Sequence, residues 1–345
     1  GGRYLEGVEA LVQLDRLDRP VCAIDLPTGM DPVRGCPLGP DCVQPTLTIT
    51  FGHPKLCLYN SDHAGVIETV DIGFGLVQDQ IACPSPPAWL LDMEALAPHL
   101  PRNKGADAKW DRGHVAVLGG GGAAVLAAHG ALAAGAGLVS VLAPASAWPR
   151  MKGLRPEIIL KDEDALHRGR YDALVLGPGL GLHRVELVLD VWSKARCTVI
   201  ADADALTILA QAEAKRSAHP RILTPHAAEA ARLLGCTRED VEADPFSAVA
   251  ALQRFGFALL KGPYTRIGHD PIWINPKGGS QLATAGSGDV LAGMVAGLSA
   301  RRIKPREACA IGAYWHLKAG DLLLPGSGAS DLLQSVRKTA GNFLA

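Results

Sequence analysis

Aromatic residues are scarce, 5% of the 345 positions, and net charge is nearly absent, −1 at pH 7 with histidine neutral. Lacking a basic field, the chain offers little to nucleic acid or to an anionic membrane surface, and neither is expected as a partner. Its eight cysteines are scattered, with no Cys-x-x-Cys pair and no close Cys/His grouping. That argues against a zinc site or a disulfide framework, and for reduced thiols in the cytoplasm. No signal or transit pattern is evident, and the chain opens Gly1-Gly2-Arg3 with no initiator methionine, so sequence upstream is expected. The G-x-x-x-x-G-K-[ST] phosphate loop, the G-x-S-x-G elbow and the H-E-x-x-H helix are all missing. No internal repeat is visible. One stretch, 115–149, has no Asp, Glu, Lys or Arg, which raises the question of a membrane span. Glycines at 119–122, 130, 135 and 137 break it into strand, loop, Ala-rich helix and strand. That is the rhythm of a buried start to an α/β sheet.

What is present points to a globular chain of two domains with a sizeable core, since 48% of residues are hydrophobic and 20% charged. Pro84, Pro86, Pro87, Pro98 and Pro101 crowd one region and predict a linker over 81–101. It divides a short part, 1–80, from a large one, 102–345. The short part shows a helical stretch over 4–17 and strands over 21–24, 46–51 and 66–72, a thin core for independent stability. The large part alternates strands (114–118, 138–142, 173–176, 198–201, 221–224, 258–261, 272–274) with helices (123–134, 186–194, 205–211, 227–234, 248–255, 290–300, 306–322). Such alternation predicts an α/β fold, a mostly parallel sheet with helices on both faces. Ligands of these sheets bind at the carboxyl ends of the strands, where the polar and glycine motifs cluster.

The most informative of these motifs is LATAGSGDVLAG at 282–293. Glycines there let consecutive N–H groups of Gly286, Ser287 and Gly288 turn outward, and a following helix adds its positive end, a favourable seat for phosphate. Asp289 lies beside that seat, placed to take a proton from an attacking hydroxyl. The ordinary alternative is a turn with a capping aspartate. Gly177-Pro178-Gly179-Leu180-Gly181 follows an apolar strand and permits close approach of a ligand, though a glycine turn alone says little. Asp202 and Asp204 in ADADAL suit Mg²⁺ or a ribose hydroxyl, or else a helix N-terminus. His226 in Thr224-Pro225-His226 could bond a polar substrate or serve structure alone. Lys261, Gly262, Pro263, Tyr264 and Thr265 either hold phosphates through charge, N–H and hydroxyl, or form a surface hairpin.

Taken in order, GPGLG at 177–181, ADADAL at 201–206, TPHAAEAARLLG at 224–235, KGPYT at 261–265 and ATAGSGDVLAGM at 283–294 resemble one family. It is the C-terminal domain of the bacterial NAD(P)H-hydrate repair enzymes, matched over about 102–325. The resemblance implies a ribokinase-like fold and an ADP-dependent dehydratase that restores NADH or NADPH from the form hydrated on its nicotinamide ring. VCAIDLPTGMD at 21–31, TLTITFGHPK at 46–55 and VDIGFG at 70–75 resemble the back half of the epimerase domain fused to it, a partial Rossmann-like segment. The family's Asn/Gly-rich epimerase loop has no counterpart in this sequence, which counts against epimerase activity. The loop 119–122 is shorter than the family's, a change expected to weaken substrate affinity.

The two readings combine into one set of expectations. Asp289 is the base for the ring hydroxyl and touches the substrate, and the N–H groups at 286–288 steady the transferring phosphoryl group. Residues 261–265 hold the nucleotide, ADP or ATP with Mg²⁺, and Asp204 is a candidate magnesium ligand. His226, Ala123, Gly179 and Gly181 line the hydrate's pocket. In the N-terminal part the resemblance implies that Asp25 contacts the hydrated nucleotide and that Thr28 is a potassium ligand. A homo-oligomer is expected. Two alternatives stay open: a ribokinase-like kinase of a vitamin precursor, and a degenerate nucleotide-binding or oligomer-building protein.

Overall fold

The computed structural model describes residues 13, 19–39, 42–60, 62–73, 88–103, 106–268 and 270–344. The expected 4–17 helix, apart from residue 13, and the prolines at 84–87 lie outside them. Three short parallel strands, β1 (Cys22–Ile24), β2 (Leu47–Phe51) and β3 (Val66–Val70), make a small N-terminal sheet. A ten-stranded sheet follows. Its strands are β4 (Ala88–Leu90), β5 (His114–Leu118), β6 (Leu138–Leu142), β7 (Ile159–Lys161), β8 (Ala173–Leu176), β9 (Thr198–Ala201), β10 (Arg221–Leu223), β11 (Phe257–Leu260), β12 (Arg266–Ile267) and β13 (Ile272–Ile274). They lie side by side as β4-β13-β12-β11-β10-β9-β8-β5-β6-β7. All pair in parallel except β12, which runs against both β11 and β13.

Burial on both faces explains why the central strands read as unbroken apolar runs. Along β5, Val115 and Val117 enter one core while Ala116 and Leu118 enter the other. β8 does the same with Ala173 and Val175 against Leu174 and Leu176. The charge-free stretch 115–149 is indeed strand, helix (Gly121–Ala133) and strand. Among the described residues no helix is long and apolar enough to cross a membrane.

Two departures from the expected layout have simple causes. The stretch read as the end of a proline linker is built into the large sheet: β4 pairs in parallel with β13, and Leu91 and Leu96 are fully covered. Its apolar residues outweigh the prolines, of which Pro98 falls in a single 3₁₀ turn after a four-residue helix. β7 and β12 are two or three residues long, too short for an alternating pattern to declare itself.

The helices Gly121–Ala133 and Ser287–Ala300 cross at backbone contact. A Cβ on Gly293 would stand 1.9 Å from the carbonyl oxygen of Ala127, and one on Gly130 would stand 2.4 Å from that of Val290. Both helices can reach this spacing only where side chains vanish. The crossing fixes the start of the second helix, and with it Asp289, over the sheet.

The N-terminal unit is tied to the large one by a third apolar core, by one guanidinium and by the Asn60 amide, which donates to Ala243 O at 3.3 Å. Cys42, Cys57, Leu58, Tyr59 and Ala64 pack with Tyr264 and Ile274. The Tyr59 and Tyr264 rings meet edge to face at 5.4 Å. Arg266, 4% exposed, donates from Nη2 to the carbonyls of Tyr59 (2.5 Å) and Asn60 (3.1 Å) and from Nη1 to that of Tyr264 (2.7 Å). Burial lowers its pKa to about 10, still far above neutral, so it stays charged.

The helix crossing predicts a contrast. Gly293→Ala should lose about 2 kcal/mol or more in chemical denaturation, because its methyl meets backbone that cannot rotate away. Gly122→Ala, where an added Cβ meets nothing within 4 Å, should be neutral or gain a few tenths of a kcal/mol from helix propensity.

Candidate active site

Asp289 sits in the first turn of the Ser287–Ala300 helix, whose N-cap, Gly286, is left-handed at φ 90°. The helix begins earlier than the sequence pattern indicated, so Ser287 and Gly288 belong to it. First-turn N–H groups have no carbonyl one turn back to bond, and they give the helix start its positive end. Gly288 and Asp289 keep that freedom. Ser287 does not: its N–H donates to the Thr284 carbonyl (3.3 Å) and its hydroxyl to that of Leu282 (2.8 Å). The φ of Gly286 favours glycine, and a Cβ there would also lie 2.4 Å from Leu126 Cδ1 and push that side chain aside.

Lys261 reaches the same spot from the end of β11. A Cβ on Gly288 would lie 3.2 Å from its Nζ. The ammonium is 2.8 Å from Asp202 Oδ1, at the end of β9, and 3.9 Å from Glu229 Oε2. Burial alone would lower the lysine's pKa, but these carboxylates outweigh it and hold it above the ordinary value. Asp289 moves the other way. Burial and the neighbouring Asp202 raise it to about 6, against the opposing pull of Lys261. A carboxylate poised near neutrality beside a fixed cation and a helix start is suited to accept a proton at physiological pH.

The remaining expected residues fall around this cluster. Gly119–Gly122 and 177–181 interlock: Gly120 N–H donates to Pro178 O at 2.9 Å, and a Cβ on Gly179 would lie 2.3 Å from Gly120 O. Ala123 stands in the first turn beside them, its Cβ 3.6 Å from where that of residue 179 would be. Asp204, the candidate magnesium ligand, accepts from Gly181 N–H at 2.8 Å. It therefore holds the glycine loop. Residues 261–265 connect the antiparallel β11 and β12, so the hairpin reading of the loop is right in topology. Within it the Thr265 hydroxyl turns back to Gly262 O (3.3 Å), Pro263 O accepts from Gly278 N–H (3.2 Å), and the Tyr264 ring is buried against Tyr59.

His226 caps the Ala227–Leu234 helix. Its Nδ1 accepts from the N–H groups of Ala228 (3.2 Å) and Glu229 (3.4 Å), while Glu229 accepts from His226 N–H (2.9 Å). With Nδ1 accepting, Nε2 carries the proton. Burial and nearby Lys261 lower its pKa, favouring this neutral form. Glu229 and His316 escaped the sequence reading. Glu229 is signalled by its place three residues after a cap. His316 has no local signal: it comes from the Pro305–Gly320 helix, its Nε2 3.0 Å from Ser287 O, and burial pushes its pKa down to about 4. A carbonyl can only accept, so His316 donates and pins the first turn of the helix.

Asp25 and Thr28 stand instead at the end of β1, on the small sheet. Asp25 (φ 69°) pairs with Lys55 and accepts from the Thr50 hydroxyl at 3.3 Å, and the lysine bond holds its carboxyl below the usual range. The Thr28 carbonyl accepts from Val43 N–H at 3.0 Å. Among the described residues, no group of three His, Cys, Asp or Glu is arranged to hold a metal ion.

The fold defines a ribokinase-like α/β scaffold. It is similar to a ribokinase-like superfamily protein of Enterococcus faecalis V583, with a TM-score of 0.67 and 24% identity over 76% of this chain and 98% of that one. It is also similar to the ADP/ATP-dependent NAD(P)H-hydrate dehydratase of Bacillus subtilis, co-crystallised with ATP/Mg²⁺, with a TM-score of 0.63 and 28% identity over 72% of this chain and 97% of that one. Residues 115–341 match the NAD(P)H-hydrate dehydratase family, and the chain belongs to that family, whose members are hydro-lyases. Bifunctional NAD(P)H-hydrate repair enzymes of Moorella thermoacetica (36% identical over 89% of this chain) and Coxiella burnetii (33% over 91%) are among its relatives. The chain spans about two thirds of their length, 63% and 67% respectively.

Asp289 yields a pH prediction. Its folded pKa, about 6, exceeds the ordinary 3.8, so the protonated form favours the fold. That contribution is complete below about pH 4 and is lost as pH rises through about 6. Asp289→Asn should therefore melt above the wild type at pH 7.5, by at most about 3 kcal/mol, with the gain vanishing near pH 4. Thermal denaturation across that range is the check.

Proposed function

We propose that this chain dehydrates NAD(P)H-hydrate to NAD(P)H at Asp289, with ADP as phosphoryl donor. The observation that carries the reading is the juxtaposition of Asp289, raised to about 6, with Lys261 and the open N–H groups of a helix start. Hydroxide leaves poorly, so the ring hydroxyl must first become a better leaving group. Asp289 takes the hydroxyl proton as its oxygen attacks the terminal phosphorus of ADP, and AMP departs. The ring nitrogen's electron pair then expels phosphate, and the adjacent ring carbon gives up a proton, which restores the ring double bond. Water is lost overall from the hydrate, with ADP converted to AMP and phosphate.

Lys261 and the N–H groups of Gly288 and Asp289 would stabilise charge on the transferring group. Donor nucleotide and substrate meet between the loops 261–265 and 177–181, with His226 and Ala123 on the substrate side. The residues present fit Mg²⁺ in one way. Asp202 has one oxygen on Lys261 and Asp204 one on Gly181 N–H, so the other oxygens of these carboxylates would hold the ion, which would neutralise phosphate charge.

The N-terminal unit we read as part of an epimerase domain, in keeping with the bifunctional names of the relatives. The residues present do not favour potassium there, because Lys55 already neutralises Asp25 and Val43 N–H occupies the Thr28 carbonyl. No step is assigned to that ion. A cytoplasmic homo-oligomer completes the proposal.

The test is absorbance at 340 nm with NAD(P)H-hydrate, Mg²⁺ and ADP or ATP. A nucleotide-dependent rise with phosphate release is expected, and the better nucleotide names the donor. A phosphorylated product without the rise would convert the reading to a kinase. Asp289→Asn should keep nucleotide affinity and lose turnover by about 100-fold or more; near wild-type turnover would remove Asp289 as the base.

A further inference from the structure

The Pro305–Gly320 helix meets the segment leading to Asp289 at two places, one turn apart on the same face. At its end, a Cβ on Gly320 would stand 2.7 Å from Leu282 Cγ, so the segment lies directly against the helix backbone. One turn earlier, the buried His316 donates from Nε2 to Ser287 O at 3.0 Å. Burial, with nearby Lys261, holds the ring's pKa down to about 4, so it is neutral at physiological pH and its one proton stays on Nε2. The acceptor is the informative partner. Ser287 O belongs to the same planar amide as the N–H of Gly288, and a trans amide points the two in opposite directions. Whatever holds the carbonyl therefore aims the N–H. Nothing closer does so by side chain, since the N-cap is Gly286 and makes no side-chain cap, and the Ser287 hydroxyl is turned to Leu282 O. The carbonyl has two lone pairs, so the imidazole bond adds to the helix's own bond instead of replacing it. Donation into the carbonyl also polarises the amide and makes its N–H a stronger donor.

We propose that His316 is a positioning residue for phosphoryl transfer: through the Ser287–Gly288 peptide it aims and strengthens the Gly288 N–H that receives the transferring group. That a phosphoryl group is what the N–H receives rests on the dehydratase reading above. His316 touches neither nucleotide nor hydrate; it acts from behind the amide. Its effect is greatest where charge builds on the transferring group, so it bears on turnover more than on nucleotide affinity.

Three variants of the intact chain test it. His316→Phe fills the space without the N–H, His316→Leu does so with less volume should the larger ring not be accommodated, and His316→Gln brings an N–H back. Turnover is followed at 340 nm with ADP, Mg²⁺ and NAD(P)H-hydrate. The peptide is read by NMR after labelling with ¹³C-carbonyl serine and ¹⁵N-glycine, which marks only the pairs 287–288 and 327–328. Ser327→Ala removes the second signal and so assigns the first. In the apolar variants kcat should fall about tenfold, less than the loss of an anion-hole donor outright, with KM for ADP and hydrate near the wild-type values. The Ser287 carbonyl and Gly288 amide signals should move, and the response of Gly288 to added ADP should shrink. His316→Gln should recover most of the turnover and of the response together. Wild-type kcat in a folded apolar variant would overturn the proposal, and so would a kcat that falls while the Gly288 response stays intact, the mark of a residue that only packs. If the wild type gives no rise at 340 nm but its Gly288 answers ADP in a manner that depends on His316, the dehydratase reading falls and the aimed N–H stands. Neither rise nor response in the wild type would overturn both.

Discussion

Everything at the candidate site depends on two helices being allowed to touch backbone to backbone. Gly130 and Gly293 remove the side chains that would hold the Gly121–Ala133 and Ser287–Ala300 helices apart. The second helix then lies close over the strand ends, and its open N–H groups face the residues at the ends of β9 and β11. A wider crossing would lift Asp289 and the helix start together, and neither could be restored by changing a local side chain. Packing density here sets chemical geometry directly.

The second constraint is electrostatic. Asp202, Asp204 and Glu229 all raise Asp289, and Lys261 is the ammonium that opposes them. Asp202 holds it by direct contact, which leaves Asp289 exposed to negative charge without a close partner. The result is a division of labour among like groups: one carboxylate orients the cation, another fixes a glycine loop, and a third is left basic enough to accept a proton. Burial makes the division possible, because in water the same charges would be screened from one another.

Much of this was legible in the chain, for physical reasons. Strands buried on both faces announce themselves as apolar runs, so β5, β6, β8 and β9 match the expected residues. Glycine and aspartate mark turns, so the strand-end positions of Lys261 and the 177–181 loop and the helix start at Asp289 were legible. What sequence could not convey was commitment. Ser287 has the right place for an anion-hole donor but spends its N–H on Thr284, and Asp204 spends an oxygen on Gly181. His226 carries its capping role in a pattern usually written with serine or threonine. His316 and the pairing of Lys55 with Asp25 arise from contacts distant in sequence. The proline-rich stretch misled because β4 contributes edge hydrogen bonds that composition cannot show.

The Arg266 guanidinium has a bearing on how this molecule comes apart. It grips two carbonyls of the N-terminal unit from inside the large sheet, while the exposed Ile24 and Val66 leave the small sheet little core of its own. Such a sheet is expected to show no separate melting transition, because its order is borrowed from its neighbour. Cleavage of the chain between residues 73 and 88 would therefore be expected to yield a nicked complex held by the third core, this cation and the Asn60 bond to Ala243 O, not two free domains. The described residues hold two sheets that are expected to unfold as one cooperative unit.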